Sequence, residues 1–339
     1  MADTNDTTTA AASSGGSQQQ TRKRFQKRTL SAEYLQEDYE QNTLGTTAGF
    51  FCAIWAAWLM GEHFSSMFTT FDYPDLDSDG QYHFGGKDVA LVVLIISKLL
   101  FVRAGLFRYV LRPLLRYTGA LAFERQQAIA EHVFAGLVYS VSTIAGAYFV
   151  GWPRLDSLGL TSLCGSAHID EGVSVEFKVF VLGQCALRLA MLVAEFFEGE
   201  NRPGYYRRLA IQYLLVGVLA SAGLLGRTTF VGLVVLAIDV PSVIAAVSGV
   251  SDALSAFFRQ AINAVAGGIA TFSALVVLPG LTYASVKCAS LDHTRASAQY
   301  WTLMGSMAVL CALQGIQTKS LWWGSTTLTR AQDLSKKTL

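Results

Sequence analysis

An all-α polytopic membrane protein is the fold class that this sequence predicts, and three observations predict it. Of its 339 residues, 52% are hydrophobic and only 15% charged, against roughly 25% charged in soluble domains. The mean hydropathy is positive, at +0.36. The apolar residues also come in blocks of about 20, the length at which a helix crosses ~30 Å of hydrocarbon. About eight transmembrane helices are expected, over residues 46–68, 88–108, 129–150, 174–197, 208–226, 229–250, 265–287 and 300–323.

Four regions follow. Residues 1–28 are Ala, Ser, Thr, Gln, Gly and Asp, then a cluster of Arg22, Lys23, Arg24, Lys27 and Arg28. This stretch is expected to be a disordered cytosolic tail, with no apolar segment of a cleavable signal. Residues 29–81 hold the first span and a loop made acidic by Asp72, Asp75, Asp77 and Asp79. Residues 82–325 are the main transmembrane domain, and 326–339 a polar tail. The segments placed with the termini carry Arg22 to Arg28, Arg108, Arg112, Arg116, Arg125, Arg202, Arg207, Arg208, Arg259, Arg330, Lys336 and Lys337. The opposite loops carry only Lys87, Arg154, Arg227, Lys287 and Arg295. By the positive-inside rule both termini are expected in the cytosol. The ending Lys336-Lys337-Thr338-Leu339 matches a dilysine retrieval signal and points to the endoplasmic reticulum membrane.

The spans in order carry these features. Gly45, Gly49 and Ala53 on the first, and Gly267 and Gly268 near the seventh, would permit close helix packing. Lys98 and Arg103 on the second must snorkel or face a polar interior. Glu131 and His132 open the third, eight and seven residues before Tyr139; His132 reads most simply as an interfacial residue. The fourth holds Lys178, Arg188 and Glu195; the last two are two turns apart on one face, and read either as an internal ion pair or as ligand contacts. Arg207 and Arg208 precede the fifth, which has Gln212 and Tyr213 early in its length. These two suit either bonding to neighbouring helices or lining a polar cavity. A short link, Gly226-Arg-Thr-Thr229, makes spans five and six a tight hairpin. Asp239 sits deep in the sixth, just before Pro241, which should kink the helix; a carboxylate at that depth usually lines a polar cavity.

Other chemistry finds no signature. Cys52, Cys164, Cys185, Cys288 and Cys311 have no metal-ligand spacing, and the five histidines are scattered. There is no Walker loop, GxGxxG, HExxH or GxSxG. No bound cofactor, metal or nucleic-acid partner is expected.

Taken together, these residues resemble the TRAM–LAG1–CLN8 (TLC) domain family, and within it the ceramide synthases most closely. Tyr82-His-Phe-Gly-Gly-Lys-Asp88 is similar to the family's Tyr-x-x-Gly-x-x-Asp approach to the second span. Leu111-Arg-Pro-Leu114, followed by Glu124-Arg-Gln-Gln127 and Glu131, resembles the Arg-Pro segment that opens the domain. Phe177-Lys-Val-Phe-Val-Leu-Gly-Gln184 resembles its Phe-Lys-x-Tyr-x-Leu-Gly-Gln span, and Leu313-Gln314 with Trp322-Trp323 its last span. The resemblance implies a sphingosine N-acyltransferase-like protein that takes membrane lipids, a sphingoid base and fatty acyl-CoA as co-substrate. It also implies a homo-oligomer or a hetero-oligomer with an active ceramide synthase.

The family's catalytic His-His pair falls on Gln212 and Tyr213 when aligned through Arg207, Arg208 and Gly232. Neither side chain is a base near neutral pH. The family's Asp-x-x-Asp falls on Asp239-Val-Pro-Ser242, with Asp239 kept and the second acid replaced. Gln212, Tyr213 and Asp239 are therefore the positional equivalents of catalytic residues, expected to line a lipid-sized cavity within spans three to eight. Arg207, Arg208, Glu131, Tyr139 and Arg188 are the expected substrate contacts, the two arginines meeting acyl-CoA phosphates at the cytosolic mouth. Weak or absent acyl transfer follows, with a role in supporting an active paralogue or in resistance to sphinganine-mimicking toxins. The alternatives are a non-enzymatic protein of the translocating-chain-associated branch, which Leu30-Ser-Ala-Glu-Tyr-Leu35 faintly resembles, and a lipid-binding or transport protein.

Overall fold

The computed structural model describes residues 14–59, 81–117, 123–151, 173–198, 205–225, 227–250, 256–291 and 300–313. Eight helical segments run through them. They are α1 (Ser14–Leu59), α2 (Asp88–Tyr117), α3 (Phe123–Val150), α4 (Val175–Glu198), α5 (Tyr205–Leu224) and α6 (Thr228–Val250). Next comes α7, in which Ala256–Phe272 passes through the π-turn Ser273–Val277 into Leu278–Leu291. The last is α8 (Tyr300–Leu313). Two short strands, β1 (Gln81–Tyr82) and β2 (Val173–Ser174), pair antiparallel with Gln81 opposite Ser174.

Six of these helices, α2 to α7, are long and apolar enough to cross a membrane, which makes this an all-α polytopic membrane protein. The outer two expected spans are seen in part. α1 is described as far as Leu59 and α8 as far as Leu313; the rest of both, Trp322, Trp323 and the dilysine end lie outside the described residues.

Two boundaries differ from expectation. Helix α1 begins at Ser14, so residues 14–28 extend a helix where an unstructured tail is expected. Gln, Lys and Arg are good helix formers, and lengthening an existing helix avoids the cost of nucleating one. Helix α2 continues to Tyr117 rather than ending near 108, through a π-turn at Phe107–Leu111. Pro113 explains the wide turn. A proline ring collides with the carbonyl four residues back, here that of Tyr109, and the looser π-turn takes up the collision without ending the helix.

The core is built on α4 and α6. Over their most apolar stretches 56% and 50% of residues are buried, against 11% in α2. Phe177 and Val181 of α4, Leu215, Val218 and Leu219 of α5, Phe230 and Val234 of α6, Leu278 of α7, and Leu303 and Met307 of α8 form one cluster. Glycines set the closest approaches. A Cβ on Gly232 of α6 would lie 2.9 Å from the Gly146 carbonyl of α3, and one on Gly223 of α5 would meet Val181 Cγ1 of α4 at 2.6 Å. Gly45, Gly49, Gly267 and Gly268, expected to serve this purpose, have nothing within 4 Å. Close packing therefore belongs to α3–α6 and α4–α5, the inner helices.

Helix α1 is fastened to α2 by a ladder of arginines at four-residue intervals. Arg108 donates to Gln41 at 3.4 Å, the buried Arg112 meets the buried Glu40 at 2.7 Å, and Arg116 lies 3.5 Å from Glu37. The Arg112-Pro113 motif thus anchors α1 at the end where α2 leads into α3.

Candidate functional site

Near the middle of the bundle, four helices bring their polar residues together. Asp239 of α6 is fully buried, 11 residues from either end of its helix. One of its carboxylate oxygens accepts from Arg188 Nη2 of α4 at 2.5 Å; the other accepts from the Ser142 hydroxyl of α3. Ser142 Oγ also lies 3.0 Å from Gln184 Oε1, one turn before Arg188. A hydroxyl has one proton to give. With that proton on the carboxylate, Gln184 serves the hydroxyl through its amide nitrogen, reached by a half-turn of the amide. The Arg188 guanidinium lies over the Tyr139 ring, 5.4 Å from its centroid. Gln212 of α5 reaches the Tyr139 hydroxyl. Gln212 Oε1 has no partner, so this contact runs through the amide nitrogen.

The local reason for the convergence is helical periodicity. Tyr139 and Ser142 are three apart on α3, and Gln184 and Arg188 four apart on α4, so each pair shares a face. Ser242, one turn past Ile238, turns its hydroxyl back onto that residue's carbonyl at 2.8 Å and does not join the carboxylate.

A second polar cluster sits where α2 and α4 begin. Lys178 is wholly buried, with its ammonium 2.9 Å from Asp88 Oδ1 and 2.7 Å from the His83 carbonyl. The rings of Tyr82 and Phe84 lie 6.0 and 5.8 Å from it. The other Asp88 oxygen accepts from the Gly85 amide at 2.7 Å. With the β1–β2 ladder beside it, this clasp joins the Tyr82–Asp88 and Phe177–Gln184 segments, two motifs far apart in the sequence.

Of the residues singled out from sequence, Tyr139, Arg188, Gln212 and Asp239 come together. Tyr213 does not. It is 70% exposed, on the side of α5 opposite the buried Ile211, Leu215 and Val218. Two neighbours on a helix differ by about 100° in direction, so the expected cavity-lining pair is split. The expected Arg188–Glu195 pair is also replaced: Arg188 goes to Asp239, and Glu195 accepts from Arg208 Nε of α5 at 2.5 Å. Arg208 is thereby engaged at the α4–α5 corner, with Arg207 half-buried next to it. Glu131 is half-buried and accepts from Gln127 on its own helix at 3.4 Å, about 12 Å along the axis from Tyr139. Ser142, Gln184 and Asp88 join these networks without standing out as site residues in the sequence. Gln184 and Asp88 stand inside quoted motifs, and Ser142 lies one turn from Tyr139, so the signal was present as spacing.

Chemically, the central site is a closed ion pair. Two donors occupy the Asp239 carboxylate, and an arginine does not release its proton in proteins. No protein-family model matches the sequence, and no curated protein matches it either.

Proposed function

We propose that this chain is a sphingosine N-acyltransferase-like membrane protein of ceramide metabolism whose own acyl transfer is weak or lost, and that it works as a lipid-binding companion of an active synthase in the endoplasmic reticulum membrane. The observation that carries the reading is the Asp239–Arg188–Ser142 network. It keeps the one acid left from the family's pattern, yet commits that acid to an arginine and a serine. At the expected positions of the histidine pair, Gln212 faces Tyr139 while Tyr213 faces outward. A general base contributes typically 10²–10⁴-fold to such a reaction, and the site has no free group to play that part. Support for the lipid side comes from the polar residues of α3 to α6, which meet at mid-bundle depth.

The test uses membranes from cells stripped of endogenous ceramide synthase, supplied with this protein, sphinganine and fatty acyl-CoA. Product is expected at least ~100-fold below that made by an active synthase in the same membranes. Co-expression should recover the synthase with the tagged chain. Product at the level of an active synthase would overturn the reading, and so would recovery of the protein-translocation channel in place of a synthase.

A further inference from the structure

Two buried polar atoms of the central network have no hydrogen-bond partner, Arg188 Nε and Gln212 Oε1. Both side chains border Tyr139, one over its ring and the other at its hydroxyl. A buried donor and a buried acceptor left unsatisfied are costly, and native proteins keep few of them.

The complement is defined by chemistry. Arg188 Nε–H needs an acceptor and Gln212 Oε1 needs a donor. A hydroxyl supplies both through one oxygen, and an amide through two neighbouring atoms. Charge narrows the choice further. Arg188 is already balanced by Asp239, and Arg208 by Glu195. An ammonium, carboxylate or phosphate would add a net charge beside side chains that are at most 1% exposed, at a heavy desolvation cost. Gln212 is half-buried, so the approach to Arg188 runs past its side chain.

We propose that the central network admits, beside Tyr139 and past the half-buried Gln212, the headgroup of an uncharged lipid, whose hydroxyl or amide accepts from Arg188 Nε and donates to Gln212 Oε1. This rests on the lipid-binding reading above and deepens it. The site selects neutral headgroups over charged ones, including over the ammonium of a sphingoid base.

The full chain, purified in detergent, would be exposed to a monoacylglycerol carrying a diazirine. A fatty acid and a fatty amine of equal length, each with the same tag, serve as charged counterparts. The neutral probe should crosslink at least tenfold more, with adducts mapping by mass spectrometry to the α3 and α5 peptides around Tyr139 and Gln212. Gln212→Leu should cut that labelling tenfold with the helical fold retained by circular dichroism, the lost amide contact to Tyr139 being offset by removal of an unsatisfied atom. Tyr139→Phe provides a second variant whose labelling should also fall. Equal labelling by the charged probes, adducts mapping elsewhere on the bundle, or unchanged labelling of both variants would each overturn the proposal. So would the appearance, in an experimental structure, of an ordered water joining the two atoms in the presence of the lipid. Abundant ceramide in the acyl-transfer assay would sink the functional reading and leave this selectivity untouched. Equal labelling would do the reverse.

Discussion

Lys178 and Arg188 stand on the same helix, are 0% and 1% exposed, and each pairs with an acid from another helix. The two sites differ in how completely their hydrogen bonds are made. At the Lys178 clasp, Asp88 uses one oxygen for the ammonium and the other for the Gly85 amide, while the ammonium also takes the His83 carbonyl. At the centre, Asp239 is satisfied twice, yet Arg188 Nε and Gln212 Oε1 are not. A finished buried pair fixes position and nothing more. An unfinished one stores a cost that a ligand can relieve, and this contrast marks the centre, not the clasp, as the candidate site.

The largest effects should come from breaking each pair on one side. Arg188→Leu leaves a buried carboxylate unpaired and should cost about 3–5 kcal/mol, with a similar loss for Lys178→Met. The double variants separate the two regions. Arg188→Leu with Asp239→Leu should recover most of the loss, because it also removes the unsatisfied Nε and leaves Ser142 to Gln184. Lys178→Met with Asp88→Leu should recover less, since the Gly85 amide and the His83 carbonyl lose partners at about 1–3 kcal/mol each. Denaturant unfolding in detergent reads both cycles, and equal recovery would dissolve the contrast between the sites.

A smaller effect tests whether the centre depends on the α3–α6 seam. Gly232→Ala places a methyl 2.9 Å from the Gly146 carbonyl, a backbone atom that cannot turn aside. The helices must move apart, at about 1–3 kcal/mol. Ser142 and Asp239 face each other across this seam, whereas the clasp joins α2 to α4. Hydrogen exchange should therefore quicken in α3 and α6 while the amides around β1 and Asp88 keep their protection. Uniform loosening would mean that the two regions are one cooperative unit.

Much of this arrangement was legible in the sequence, and the rest was not for identifiable reasons. Hydropathy blocks located α2 to α7, because a membrane demands length and apolarity from every span separately. The same logic fails at α2's end. Apolar residues give way there to Arg108 and Arg112, which ends the expected span at 108, while the tertiary contact of Arg112 with Glu40 and the π-turn before Pro113 carry the helix onward. Deep Asp239 and Arg188 stood out as costly groups, but the choice of partner is a matter of how helices rotate against one another. Glu195 shares a face with Arg188 and still pairs with Arg208. Spacing within a helix fixes which residues share a side; it does not say which helix that side meets.

The smallest expected effect is the sharpest check on the candidate site, because it concerns two adjacent residues. Gln212 and Tyr213 look like a unit in the sequence, but the helix turns them to different sides of α5. Tyr213, 70% exposed on a surface whose neighbours face lipid or solvent, should tolerate Tyr213→Phe within about 0.5 kcal/mol. Its labelling by the neutral lipid probe should also be unchanged. If the hydroxyl of Tyr213 were part of the site, this substitution would lower labelling as Gln212→Leu does, and the two positions would have to act together. A stable Tyr213→Phe variant with reduced labelling would therefore place the lipid on the outer face of α5, and would move the site away from Arg188 and Asp239.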